Sequence, residues 1–92
     1  MQIDYYDFDL TAQTLWVMNP SVRESYNDWA DLKESMIEMA YQYCDKSNSF
    51  GISGYCLTAF TGSNGERHVK ASVQAYTAAK YLERIKSATN FA

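Results

Sequence analysis

Histidine and cysteine are the side chains from which this chain could most simply build a catalytic or metal site. His68 is the only histidine, and Cys44, Cys56 and His68 follow one another at intervals of twelve residues. Zinc ligands typically come in pairs with about two to five residues between them, so this spacing matches no zinc-site pattern. We therefore expect no bound metal.

The glycines and carboxylates do not indicate an enzyme either. The chain has four glycines, and they form neither a G-x-G-x-x-G motif nor a phosphate-binding loop with its lysine. Asp28 and Asp31 could act as paired carboxylates, but no neighbouring motif indicates a cleft around them. The sequence therefore predicts a protein that acts by binding a partner, with no catalytic residues and no cofactor.

Charge, by contrast, is strongly segregated along the chain. Residues 1–45 contain nine acidic and two basic residues, whereas residues 46–92 contain two acidic and six basic ones. The net charge is −3 and the isoelectric point is near 4.9. Such asymmetry between the two halves of a chain indicates a charged partner surface.

Five of the acids fall on one side of a predicted helix. Apolar residues recur at spacings of three and four from Val22 to Tyr43, which is the pattern of an amphipathic helix. At about 100° per residue, the opposite side carries the carboxylates of Glu24, Asp28, Asp31, Glu34 and Glu38. Neighbours in this row would lie about 5–6 Å apart and repel one another by a few tenths of a kcal/mol per pair.

Three interpretations of this row are open. It is simply the solvated side of a helix, although such sides usually mix charges of both signs. Alternatively, it docks against a basic surface of another protein, for example one that binds nucleic acid, because carboxylates at this spacing roughly imitate phosphates. In the third interpretation it pairs with the basic half of a second copy, giving a homodimer. Docking is our leading hypothesis, and it predicts an inhibitor that occludes its partner.

The N-terminal segment adds acids and aromatic residues that could extend this surface. Under the docking hypothesis the further partner-binding residues are Asp4, Asp7 and Asp9, with Tyr5, Tyr6 and Tyr26 as aromatic anchors. The same acids could equally protect an edge strand against aggregation.

A different class of function would use the basic C-terminal half. A small regulatory nucleic-acid-binding protein would bind through Arg67, Lys70, Lys80, Arg84 and Lys86. The acidic isoelectric point argues against this alternative, because counterion release favours basic proteins.

In size, acidity and ordered carboxylates, the chain resembles the small phage and mobile-element proteins that disable host defences, including anti-CRISPR and DNA-mimic inhibitors. The resemblance implies an inhibitor acting in the bacterial cytoplasm, which would be the host cytoplasm for a phage protein. No apolar stretch reaches the ~20 residues needed to span a bilayer. The first ten residues contain three Asp and no Lys or Arg, unlike a signal peptide, so we expect reduced cysteines and no membrane partner.

The predicted elements form one α+β domain over residues 1–92. Asn19 and Pro20 are typical of a helix cap and first position, so a long helix is predicted from Pro20 to Cys44. Asn27 could act as a second cap at which this helix restarts. A run of good helix formers from 75 to 86 predicts a C-terminal helix that covers one sheet face.

A β-hairpin is predicted between these helices, with residues 54–61 and 67–73 as its strands. A two-residue Asn-Gly turn at 64–65 would place Phe60 opposite Val69 on the buried face. Cys56 and His68 would then point to opposite faces, which excludes a thiol–imidazole pair.

The N-terminal eighteen residues are open to two predictions. Tyr6, Phe8 and Leu10 alternate with aspartates, which favours a second hairpin with residues 14–18 as its other strand. Phe8, Ala12 and Leu15 also fit one side of a helix.

Overall fold

The computed structural model describes residues 1–52 and 54–89, with the backbone alone at Tyr76 and at 84–89. In chain order the elements are β1 (Gln2–Ile3), α1 (Tyr5–Met18), α2 (Pro20–Ser25), α3 (Trp29–Tyr43), β2 (Ser49–Ile52), β3 (Tyr55–Thr61), β4 (Arg67–Val73) and α4 (Ala75–Thr89). The predicted α+β class is confirmed.

The strands form one mixed sheet in the order β1-β4-β3-β2. β1 runs parallel to β4, and the other neighbours are antiparallel. Leu57, Val69 and Ala71 are buried on the inner face of this sheet, and α1 packs against both β4 and α3. Leu32 and Met36 of α3 belong to the same buried cluster as these sheet residues, so the fold has two layers, with α1 and α3 over the inner sheet face.

The N-terminal segment is a helix, so the favoured second hairpin is wrong. Asp4 caps α1 by accepting a hydrogen bond from the Asp7 N–H at 3.2 Å. Phe8, Ala12 and Leu15 are fully buried at spacings of four and three, which is the helical alternative. Tyr6 and Leu10 lie on the exposed side, so the alternation that suggested a strand has no structural counterpart.

The long helix predicted from Pro20 to Cys44 is divided in two. Asn19 caps α2 and Pro20 takes its first position, as predicted. α2 ends at Ser25, and α3 begins at Trp29 after a new cap. That cap is Asp28, whose Oδ1 accepts a hydrogen bond from the Asp31 N–H at 3.0 Å. The restart was expected one residue earlier, at Asn27.

We expect the Asp28→Ala variant to lose about 1 kcal/mol of unfolding free energy, because α3 would lose its N-cap. Urea denaturation followed by circular dichroism measures this loss. Asn27→Ala is the matched control, since Asn27 is exposed and caps nothing. Equal losses in the two variants would show that the cap does not lie at Asp28.

The predicted register of the hairpin is wrong by one residue. Phe60 lies opposite His68, and Val69 lies opposite Ala59. The Gly62 N–H donates to the Glu66 carbonyl at 2.7 Å, so the loop holds three residues rather than two. Gly65 has a φ of +81°, which is the left-handed residue that three-residue hairpin loops require.

Because the pairing is shifted by one residue, the side chains of β3 that were predicted to face the core face outward, and the others face the core. Leu57 and Ala59 point into the core, whereas Cys56, Thr58 and Phe60 point outward. Cys56 and His68 therefore share the outer face. Cys56 pairs with Ser72, however, which places it about 13 Å along the strands from His68. The two side chains lie on the same face but are too far apart to form a nucleophile–base pair.

The predicted position of α4 is also wrong. None of its described side chains is buried, and Tyr81 lines a groove with Leu10 and Val17 of α1. α4 thus contacts α1 near Tyr81, and the inner sheet face is covered by α1 and α3.

Candidate functional site

The exposed side of α3 carries three carboxylates, which we call the acidic row: Asp31, Glu34 and Glu38. All three residues are exposed. The core residues of this helix, Leu32 and Met36 among them, lie on the opposite side. Spacings of three and four residues bring the carboxylates into one line along the helix axis. The row spans about 10 Å at 1.5 Å per residue.

Neither basic residue of the N-terminal half neutralises the acidic row. The Arg23 guanidinium donates to the carbonyls of Trp16 and Val17, at 2.6 and 3.2 Å, where α1 ends. The Lys33 ammonium lies 2.7 Å from the Asp9 carboxylate and 5.8 Å from the centre of the Tyr5 ring. Within the part of the chain that the structure describes, no ion pair reaches the row. Its charge is therefore available to solvent or to a partner.

The other acids predicted for this surface have internal roles or lie elsewhere. Asp4 and Asp28 cap helices, and Asp9 is bound to Lys33. Glu24 is exposed on α2, a separate helix, and Asp7 is half-buried in the first turn of α1. The predicted continuous row of five carboxylates on one helix is therefore wrong, and three of the five remain in line.

Two of the three tyrosines predicted as aromatic anchors are exposed in the structure. Tyr5 and Tyr6 are exposed on α1, but Tyr26 is half-buried and its hydroxyl donates to Ser35 Oγ at 3.1 Å. Tyr41, which was not among the predicted residues, is 56% exposed. It follows Glu38 by three residues, so it continues the acidic row. That spacing was the signal that could have identified it.

The basic residues predicted to bind nucleic acid do not lie together among the described residues. Arg67 donates to the carbonyls of Cys44 and Ser47 and to the side chains of Asn48 and Thr61. It therefore joins the turn after α3 to the hairpin. Lys70 is exposed on the outer sheet face and Lys80 is exposed on α4. The side chains of Arg84 and Lys86 lie outside the described residues.

The outer sheet face carries a second group of polar and aromatic residues. Pairing across the strands aligns Gln2, His68 and Phe60 in one transverse row, and Lys70, Thr58 and Ser49 in the next. The Phe60 and His68 rings are stacked, with centroids 5.1 Å apart. A cleft of about 270 Å³ opens beside them, between β1, β4 and the start of α1.

The two buried protic groups nearest the sheet core are held neutral. Burial raises the pKa of the Cys44 thiol, although the positive charge of Arg67 opposes the shift. Burial also raises the pKa of Tyr55 to about 12, with smaller contributions from Tyr26 and Cys44. A protonated, buried thiol is a poor nucleophile, so Cys44 acts as a small core residue.

Comparison of the chain with protein-family profiles, with curated proteins and with solved structures gave no significant match. Over the described residues, none of the helices has the length and apolar character needed to cross a lipid bilayer.

Proposed function

We propose that this protein is a binding inhibitor that docks the acidic row of α3 on a basic, nucleic-acid-binding surface of a partner protein. One observation carries the proposal. Three carboxylates stand in line on an exposed helix side while both basic residues of the same half of the chain, Arg23 and Lys33, are bound elsewhere.

The energetics of the row favour a partner of opposite charge. Each pair of neighbouring carboxylates destabilises an isolated helix by a few tenths of a kcal/mol, and a lysine- or arginine-rich surface would relieve that repulsion. Opposite surface potentials also accelerate association and select the partner. Tyr41, at the end of the row, supplies an exposed aromatic ring of the kind that anchors such interfaces.

The mechanism of inhibition would be occlusion. A helix side about 10 Å long with regularly spaced negative charges occupies the positions where phosphates would otherwise bind. The resemblance in size and charge to phage-encoded inhibitors makes bacterial nucleic-acid-binding complexes, in the host cytoplasm, the first class of partner to test.

Charge reversal in the row tests the proposal. Tagged wild-type protein and a Glu34→Lys/Glu38→Lys variant are used to capture proteins from a bacterial lysate, and the purified captured protein is then titrated with each. We expect the variant to bind at least about tenfold more weakly, because like charges would face each other. We also expect the wild-type protein to compete with nucleic acid for the captured protein, and its affinity to fall as salt rises.

A second variant controls for net charge. Glu66→Lys/Glu83→Lys makes the same change at two exposed residues outside the row and should bind like the wild-type protein. Equal losses in both variants, or an affinity that is indifferent to ionic strength, would contradict docking through the row. Circular dichroism of each variant verifies that the fold is retained.

A further inference from the structure

The outer face of the sheet is a second surface, separate from the acidic row. The helices α1 and α3 lie over the inner face, whereas Thr58, Phe60 and Lys70 are exposed on the outer one. Phe60 is 45% exposed, although aromatic rings are normally buried to a greater extent in folded proteins. Phe60 is therefore accessible to a ligand at the surface.

The stack is fixed in place by its surroundings. Phe60 and His68 are direct partners across β3 and β4, and their ring planes are inclined by only 14°. A Cβ at position 62 would lie 3.0 Å from the Nε2 atom of His68, so a larger residue there would require the imidazole to shift by a few tenths of an ångström. A preformed aromatic platform of this kind stacks on planar ligands with little loss of side-chain entropy.

A cation lies next to the platform. Lys70 follows His68 by two residues on the same face, which is about 7 Å along the strand. Among the described residues, no carboxylate forms an ion pair with it. Asp4 also lines the cleft, but its carboxylate accepts the Asp7 N–H at the start of α1. Among the described residues, Lys70 therefore supplies a positive charge without an ion-pair partner on the outer face, in a cleft that the Asp4 carboxylate also lines.

We propose that the outer sheet face binds single-stranded RNA, with one base stacked on Phe60 and the adjacent phosphate paired with Lys70. Stacking of unpaired bases on aromatic side chains beside basic groups is how single strands are generally bound. The amide of Gln2 and the hydroxyls of Thr58 and Ser49 flank the platform and the cation. Each of these groups can donate or accept a hydrogen bond, so each can pair with the 2′-hydroxyl of a ribose.

Fluorescence anisotropy with a labelled single-stranded RNA of about eight nucleotides tests this inference at low ionic strength. We expect saturable binding by the wild-type chain. Phe60→Ala should weaken it roughly tenfold through lost stacking. Phe60→Leu, which keeps most of the apolar volume, should weaken it similarly and guards against misfolding of the alanine variant. Lys70→Glu should also weaken binding and reduce its dependence on salt.

Matched control variants test whether RNA binding depends on the outer sheet face and not on the acidic row. Tyr41→Ala removes an exposed ring on α3 and Lys46→Glu reverses an exposed lysine outside the sheet. Both should bind RNA like the wild-type chain. The Glu34→Lys/Glu38→Lys variant should also keep Phe60-dependent RNA binding, so failure of one proposal leaves the other intact. The absence of saturable binding, wild-type affinity in Phe60→Leu, or equal affinity for DNA of the same sequence would overturn the inference.

Discussion

Substitution of Phe8 by alanine is expected to destabilise the fold by about 3–5 kcal/mol, the usual cost of removing a fully buried phenyl ring. Phe8 is 0% exposed and belongs to the core cluster that includes Leu57 and Val69. Because a domain of this size is typically stable by only about 5–15 kcal/mol, the variant should lose most of its stability. Urea denaturation at constant temperature measures the effect.

Tyr6→Ala is the matched control for this experiment. Tyr6 is on the same helix, two residues away, and is 74% exposed, so its loss should change stability by less than about 0.5 kcal/mol. In a β-strand, residues 6 and 8 would point to the same face. Equal losses of unfolding free energy in the two variants would therefore contradict the helix and favour the N-terminal hairpin.

Replacement of Arg67 by methionine should give the second-largest loss, about 2 kcal/mol. The guanidinium donates to Cys44 and Ser47 carbonyl oxygens at 3.1 and 2.8 Å, and to Asn48 Oδ1 at 2.8 Å. Hydrogen bonds to charged groups each contribute about 1.5–3 kcal/mol, and solvent replaces part of that contribution near the surface. The variant removes the connection between the end of α3 and β4.

Lys70→Met controls for the loss of one positive charge on the same strand. Lys70 is exposed and should tolerate the change with little effect on stability, measured by the same denaturation. Arg67→Lys should recover only part of the loss, because an ammonium group cannot reach several acceptors in the fixed geometry of a guanidinium. Wild-type stability in Arg67→Met would show that these hydrogen bonds do not stabilise the connection.

Local backbone chemistry explains what could be predicted from the sequence. Asn19 and Pro20 determine where α2 begins, since a cap side chain and a fixed φ act within a few residues. The positions of β3 and β4 followed from their β-branched and aromatic residues between turn signals. These elements, and hence the α+β class, depend little on contacts between distant parts of the chain.

The incorrect predictions came from features that depend on a single residue or on distant contacts. A loop of three residues instead of two at Asn64–Gly65 shifts the register and exchanges the faces of β3. Tyr6, Phe8 and Leu10 fit a strand, whereas Phe8, Ala12 and Leu15 fit a helix. The core buries only the second set. Short apolar patterns of this kind are decided by tertiary packing.

A candidate site could be predicted from the sequence only where the helix or strand that bears its residues was predicted correctly. Asp31, Glu34 and Glu38 lie in line because α3 is a helix, which the sequence predicted. Glu24 and Asp28 were separated from them by the break after Ser25, where Asp28 serves as a cap. The outer sheet platform was missed entirely, because the predicted register placed Phe60 in the core.

The pairing of β1 with β4 has a consequence for how the chain folds during its synthesis. Gln2 lies opposite His68, and the Asp4 N–H donates to the Val69 carbonyl at 2.9 Å. At about 5–20 residues per second, the ribosome finishes α1 several seconds before it produces β4. Until then the apolar side of α1 lacks β4, the strand against which it packs. We therefore expect nascent chains stalled before residue 67 to be sensitive to protease, with protection arising only once β4 has left the exit tunnel.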